Sequence, residues 1–154
     1  MRKRFRLPKR PSNLLKVSLR DFQRARRTPG IKIQMESWHS PKYRYPEEMQ
    51  PLCEFTCCFV CMAGAVMHCS GGAPLTHTLN PEDFPEPLRG QLYAINYLRS
   101  GYVYQAFSVM GRPWSPMLPT SMIRVPVAEY KASNPRPFYR SMRRLIKLLA
   151  SKGH

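Results

Sequence analysis

The sequence predicts an α+β, mainly helical protein with a compact single core of three to five helices, a small strand pair and basic terminal arms. Three observations support this class. The 154 residues are enough for one hydrophobic core and too few for two ordinary domains. Apolar residues recur at helical spacing in segments that are separated by proline-rich or glycine-containing stretches. Lysine and arginine, 25 in all against nine acidic residues, are concentrated near the two ends.

Charge is distributed unevenly along the chain. Residues 1–30 contain eleven Lys and Arg against Asp21 alone, which gives +10, and residues 129–154 contain seven against Glu129, which gives +6. Residues 31–128 contain seven of each sign and are neutral. Single-sign clusters attract phosphate backbones, anionic lipids or acidic protein faces, and the arginine-rich arms favour bidentate contacts to phosphate. The charge pattern therefore predicts a protein that binds nucleic acid or another polyanion.

In the first 36 residues, like charges, hydrophobic periodicity and capping residues predict a basic arm, a helix and a strand. Residues 1–11 have too many like charges and too few apolar side chains to fold alone, so they are predicted as a flexible basic arm. Helical spacing of apolar residues over residues 14–27 predicts a helix with Ser12 or Asn13 as its N-cap. The alternation in residues 31–36, IKIQME, is that of a half-buried strand.

The middle of the chain is predicted to supply the buried helices. Residues 40–51 are predicted as a proline-rich loop, and residues 52–68, rich in Ala, Met, Leu and Cys, as the core helix. Apolar spacing over residues 88–98 predicts a second amphipathic helix, followed by a short helix over residues 102–107. Residues 122–130 are predicted as an edge or bulged strand, because they contain a proline.

The C-terminal segment, residues 137–154, is predicted as a basic amphipathic helix that follows a core domain of residues 12–136. Such a helix can pack its apolar stripe on the protein's own core, on an anionic membrane surface or in a partner's groove. The predicted stripe consists of Phe138, Met142, Leu145, Ile146 and Leu149.

The five cysteines are predicted to be free thiols. An odd number, in a chain with no readable secretory signal, argues against a disulfide framework. A zinc site usually needs two short-spaced ligand pairs, and Cys58 and Cys61 form the only C-x-x-C, so these two with His68 and Cys69 are weak candidates. A Cys/His nucleophilic pair lacks an obvious acidic residue to orient the histidine. The prediction is a non-enzymatic protein without metal or cofactor.

Two groups of aromatic residues come before the predicted core helix in the sequence. Trp38 and His39 follow a strand and are interpreted as structural. In the following loop Tyr43 and Tyr45, interleaved with basic residues, are candidates for stacking on bases. The predicted contacts to nucleic acid or another polyanion are Arg2, Lys3, Arg4, Arg6, Lys9, Arg10, Arg24, Arg26, Arg27, Arg140, Arg143, Arg144 and Lys147.

Three segments carry a resemblance. They are M-E-S-W-H-S-P at residues 35–41, C-F-V-C-M-A-G-A-V-M at 58–67 and L-Y-A-I-N-Y-L-R-S-G at 92–101. In this order they resemble a family of small, mostly uncharacterised bacteriophage-encoded accessory proteins. The resemblance implies a protein made in the bacterial cytoplasm that binds host factors, and it implies no catalytic residues. The long basic arms depart from that family's pattern.

The resulting functional expectation is a phage accessory protein that binds nucleic acid, or a host nucleic-acid-processing or defence complex, and inhibits or redirects it. No segment is apolar over the roughly 20 residues that a membrane span needs. Two alternatives remain: a structural component of a ribonucleoprotein or virion, and a zinc- or thiol-dependent enzyme.

Overall fold

The computed structural model describes residues 4–44, 54–113 and 130–154. Within them lie five α-helices, three β-strands and a short 3₁₀ turn, and the predicted mainly helical α+β class is confirmed. The elements in chain order are α1 (Pro11–Arg27), β1 (Ile31–Ile33), β2 (His39–Arg44), β3 (Glu54–Val60), α2 (Met62–Cys69), the 3₁₀ turn (Pro81–Asp83), α3 (Leu88–Arg99), α4 (Val103–Val109) and α5 (Arg136–Ser151).

The three strands form one sheet in the order β1-β3-β2. The central strand β3 pairs in parallel with β1, where Ile31 lies opposite Cys58, and antiparallel with β2, where His39 lies opposite Val60. Helix α1 packs against α2, α5 and β1, and α3 packs against α4. Helix α1 therefore contacts elements from the start, the middle and the end of the chain.

The prediction of one helix over residues 52–68 is wrong for residues 54–60. Residues 54–60 form β3, and the helix α2 begins only at Met62. Strand β3 has neighbours on both edges and buries Cys57, Cys58 and Val60, so its sequence lacks the alternation of a half-exposed strand. A short apolar run of this kind cannot be told from a buried helix by periodicity.

Two boundaries in the first half of the chain also differ from the prediction. The predicted loop over residues 40–51 contains β2 as far as Arg44, because backbone pairing with β3 tolerates Pro41 on an edge strand of the described sheet. Helix α1 begins at Pro11, whose fixed φ suits the first helical position, and its N-cap is Arg10 with no side-chain capping bond. Residues 45–51 of that loop, residues 52–53 of the predicted helix and residues 122–129 of the predicted strand lie outside the described part.

The predicted C-terminal helix is present as α5, which spans Arg136–Ser151 rather than residues 137–154. Helix α5 buries the five apolar residues of the predicted stripe against the protein's own core. Phe22 of α1 is fully buried and meets the ring of Phe138 at 5.4 Å between centroids and that of Tyr130 at 5.5 Å. These aromatic contacts hold α1 and α5 side by side, and that pairing positions the cationic residues described next.

Candidate nucleic-acid interface

Helices α1 and α5 run antiparallel. At one end of the pair the backbone N–H of Ser12 donates to the carbonyl oxygen of His154 at 3.0 Å. At the other end the Arg26 guanidinium donates to the carbonyl oxygen of Ala132 at 2.9 Å and to the hydroxyl of Tyr139 at 3.2 Å. Contacts at both ends fix the two helices in one relative orientation.

Each of these helices carries a row of exposed arginines with the same spacing. In both rows the second and third arginines follow the first at i+4 and i+7, which places them on one helix face, and each row is about 10 Å long. The rows are Arg20, Arg24 and Arg27 on α1 and Arg136, Arg140 and Arg143 on α5.

Two adjoining depressions lie along these rows, and together we call them the basic groove. The first, of about 880 Å³, is lined by the α5 row, Arg27, Gln23, Tyr139 and residues 133–135. The second, of about 530 Å³, is lined by the α1 row, Gln23, Cys69 and residues 28–29. Gln23 and Arg27 border both. Among the described residues no acidic side chain lines either depression, so the groove presents a single sign of charge.

Asp21 belongs to α1 but does not face the groove. Its carboxylate is fully buried, accepts a short hydrogen bond from the Ser70 hydroxyl and lies 3.1 Å from the Arg20 guanidinium. It is the one acidic residue among the first thirty. The ion pair of Asp21 with Arg20 offsets part of the positive charge of that member of the α1 row.

The N-terminal segment does not behave as the predicted flexible arm over residues 4–10. Leu7 is buried, and the Gln91 side-chain amide donates to the carbonyl oxygens of Leu7 at 3.2 Å and Pro8 at 2.9 Å. Alternating inward apolar and outward basic residues explain why a charged segment can pack in this way. At its start Phe5 lies against Gly71, and the neighbouring Ser70 is 3.4 Å from Arg20.

The predicted contact residues are divided between several places. Arg24, Arg27, Arg140 and Arg143 line the basic groove, whereas Arg144 and Lys147 are exposed on α5 but do not line it, and Arg26 ties α1 to the segment before α5. Arg4, Arg6 and Lys9 line a separate pocket of about 310 Å³ that also contains Glu86. Arg10 is exposed at the start of α1. Arg2, Lys3 and Tyr45 lie outside the described residues.

Arg20, Gln23 and Arg136 line the groove but were not among the predicted contacts. Arg20 precedes Arg24 by four residues and Arg136 precedes Arg140 by four, so extending the helical spacing by one step would have found both. Gln23 carries no charge and had no signal in the sequence. Only the packing of α1 against its neighbours places it between the two depressions.

The stacking candidate Tyr43 lies on β2, away from the groove. Its hydroxyl donates to the carbonyl oxygen of Thr76 at 2.8 Å, and its ring meets that of Phe55 edge-on at 6.0 Å. Trp38 is half-buried against Tyr93, and His39 is fully buried, in agreement with their structural interpretation. Tyr43 therefore fastens the edge of the sheet to the following loop.

Cys58 and His39 are the described thiol and imidazole that come together. The Cys58 sulfur lies 3.7 Å from Nδ1 of His39, and both residues are fully buried. Burial raises the pKa of Cys58 to about 11 and lowers the pKa of His39. Both shifts favour the neutral forms, which is the opposite of an activated thiolate–imidazolium pair.

His39 makes the stability of the fold depend on pH. Because burial lowers its folded-state pKa, the unfolded chain binds a proton more readily below about pH 6.5, and stability falls as the pH drops. We expect the free energy of unfolding to decrease between about pH 7 and 5, less steeply in His39→Asn. Urea denaturation at both pH values measures this. Equal decreases in the two proteins would contradict the prediction.

The other weak zinc candidates each have a different hydrogen-bond partner. Cys61 is fully buried at the start of α2, where its sulfur accepts from the Gly64 N–H, and burial raises its pKa. His68 Nδ1 lies 2.7 Å from the carbonyl oxygen of Ala73, and the Cys69 thiol donates to the carbonyl oxygen of Asp21. Across the described ranges no three His, Cys, Asp or Glu residues are grouped to hold a metal ion.

Comparisons with protein-family models, with curated proteins and with solved structures find no match for this chain. The resemblance to phage accessory proteins therefore stays a prediction. Among the described residues no helix has the length and apolar composition required to cross a membrane.

Proposed function

We propose that this protein is a non-enzymatic binding protein that holds the phosphate backbone of nucleic acid in the basic groove. The observation that carries the proposal is the pair of arginine rows on two packed helices, with no acidic side chain lining the described groove. Arginine clusters of one sign neutralise phosphates and release counterions, which supplies most sequence-independent affinity.

The first turn of α5 adds to the attraction for anions. The helix begins at Arg136 beside the groove, and residues 133–135, immediately before it, line the larger depression. A helix N-terminus carries a partial positive charge, which favours phosphate. In α5 this charge acts without free N–H donors at the first two positions, because the Arg136 N–H donates to the Asn134 side chain and Pro137 has no N–H. This end of α5 therefore reinforces the arginines instead of opposing them.

Burial of the α5 stripe favours phosphate over a lipid surface. A basic amphipathic helix binds a membrane by inserting its apolar face. In this fold Phe138, Met142 and Leu149 are fully buried against the core, so that face is occupied. What α5 leaves exposed is its cationic side.

The target in the cell is proposed from the resemblance. If this protein binds host factors, as the resemblance to small phage accessory proteins implies, its groove lies against host nucleic acid or against a complex that processes nucleic acid. Occupying the backbone would then block access by the host machinery. A stoichiometric association with a large particle would instead favour a structural component of a ribonucleoprotein or virion.

Two neighbouring arginines of α5 provide a matched test. Arg143 and Arg144 are both exposed, but only Arg143 lines the groove. We expect Arg143→Ala to weaken binding to a labelled oligonucleotide and to reduce the slope of log affinity against log salt by about one, because one phosphate contact is lost. Arg144→Ala should leave the slope nearly unchanged. Fluorescence anisotropy at several salt concentrations measures both.

The outcomes separate the proposal from a diffuse effect of positive charge. If the two variants lose affinity equally, the groove is not the site and the basic surface acts as a whole. If the intact chain does not bind nucleic acid at low salt, the proposed function is wrong.

A further inference from the structure

We infer that the nucleic acid held in the basic groove is double-stranded, that both strands are contacted, and that no base sequence is read. This inference rests on the proposed function and narrows its ligand.

The two rows match a ligand with two lines of phosphate. The α1 row and the α5 row lie on antiparallel helices in contact, and packed helices are typically about 8–10 Å apart between axes. A duplex presents two antiparallel phosphate lines, separated across the minor groove of DNA by a gap of about 6 Å. Because the separation of the helices is similar to the gap between the two phosphate lines, each row can neutralise one strand. A single strand would engage one row at a time.

Among the described residues, the groove offers no free aromatic surface for unpaired bases. Tyr139 is the aromatic residue that lines it, and its hydroxyl is bound to Arg26 while its ring packs against Phe22 at 6.3 Å. The most exposed rings described, Tyr102 and Tyr104, belong to the α4 region and do not line the groove. Proteins that bind single strands usually stack bases on aromatic side chains, so this groove lacks the feature that favours them.

A cluster of arginines favours the ligand with the higher charge density. The arginines of both rows project from two helices that the buried Phe22 joins to Phe138, so the backbone positions from which they extend are fixed. Duplex DNA carries one charge per about 1.7 Å of axis, twice the density of one strand, and each contact releases more counterion. A row about 10 Å long covers about three base pairs, so a short duplex fills the groove.

The experiment uses the full chain with labelled oligonucleotides of mixed sequence at one moderate salt concentration. The probes are a DNA duplex and an RNA duplex of about 16 base pairs, each with its separate strands chosen to lack internal pairing. We expect at least one duplex to bind about tenfold more tightly than its own strands. A second duplex of unrelated sequence should bind within about threefold of the first.

Variants in each row test contact with both strands. Arg27→Ala in the α1 row and Arg143→Ala in the α5 row should each reduce the duplex salt slope by about one, and the double variant by about two. Arg144→Ala is the control for each. Circular dichroism confirms that the variants are folded.

The results distinguish a failure of this inference from a failure of the proposed function. Single strands that bind as tightly as duplexes, or a large preference for one duplex sequence, would overturn this inference and leave the proposed function standing. A slope that responds to only one row would overturn the two-strand contact. No binding to any probe at low salt would overturn the inference and the proposed function together.

Discussion

Replacing Gly64 by alanine should destabilise the protein by about 3 kcal/mol or more, the largest effect we expect from a single methyl group. A Cβ atom on Gly64 would lie 1.6 Å from the carbonyl oxygen of Trp38 and 2.8 Å from its carbonyl carbon. Both atoms are backbone, so no side-chain rotation can relieve the overlap. The start of α2 would have to move away from the segment that leads into β2.

Gly111→Ala is the matched control, because a Cβ at that position meets nothing within 4 Å. Its φ of +65° adds backbone strain alone, which costs about 1 kcal/mol. Urea denaturation followed by circular dichroism compares the two variants. A Gly64→Ala protein no less stable than Gly111→Ala would show that α2 does not approach Trp38 this closely.

Phe22→Ala should cost about 3–5 kcal/mol and should also weaken binding in the basic groove. Phe22 is fully buried and its ring contacts Phe138, Tyr130 and Tyr139, so its removal leaves a cavity between α1 and α5. The two arginine rows lie on these helices. Loosening their pairing therefore changes the distance between the rows as well as the stability.

Phe22→Leu serves as the control, since it keeps most of the apolar volume and should lose less stability. Stability is measured by denaturation, and duplex affinity by anisotropy under conditions where both variants remain folded. If Phe22→Ala loses stability but keeps the duplex affinity and salt slope of the unaltered chain, the pairing of α1 with α5 does not form the binding site.

The helices were predictable where one face is buried and the other is wet. In α1 and α5 the core contacts fall on one stripe, so apolar residues such as Leu15 and Met142 recur at the helical period. Residues on the opposite face are charged or polar. That contrast is a local property of the sequence and needs no knowledge of the neighbours.

Strands β3 and β2 were not predictable from the sequence, because neither shows a regular contrast between a buried face and an exposed face. Strand β3 is enclosed by two neighbouring strands and continues directly into the buried start of α2, so Cys57, Cys58 and Cys61 show no change in periodicity at the junction. Strand β2 contains Pro41, a residue that usually argues against a strand. Pairing with β3 is a long-range interaction, and no local pattern reports it.

The positive charge of the candidate site was predictable from the sequence, but the residues that line the site were only partly predictable. The arginine content of both ends is a fact of composition, and it pointed to phosphate. Which arginines act together depends on helix packing: Arg27 and Arg143 are more than one hundred positions apart and line one depression, whereas Arg26, beside Arg27, is bound to Ala132 and Tyr139. Chain position does not distinguish these cases.

Without the structure one could predict the mainly helical class, the amphipathic faces of α1 and α5 and the concentration of positive charge at the two ends. These follow from residue type and short-range spacing. Tertiary structure decided that residues 4–10 pack against the core, that the thiols of Cys58 and Cys61 are buried, and that two arginine rows flank one groove. Each of these depends on contacts between segments that are distant in the chain, and burial of apolar surface between such segments fixes them.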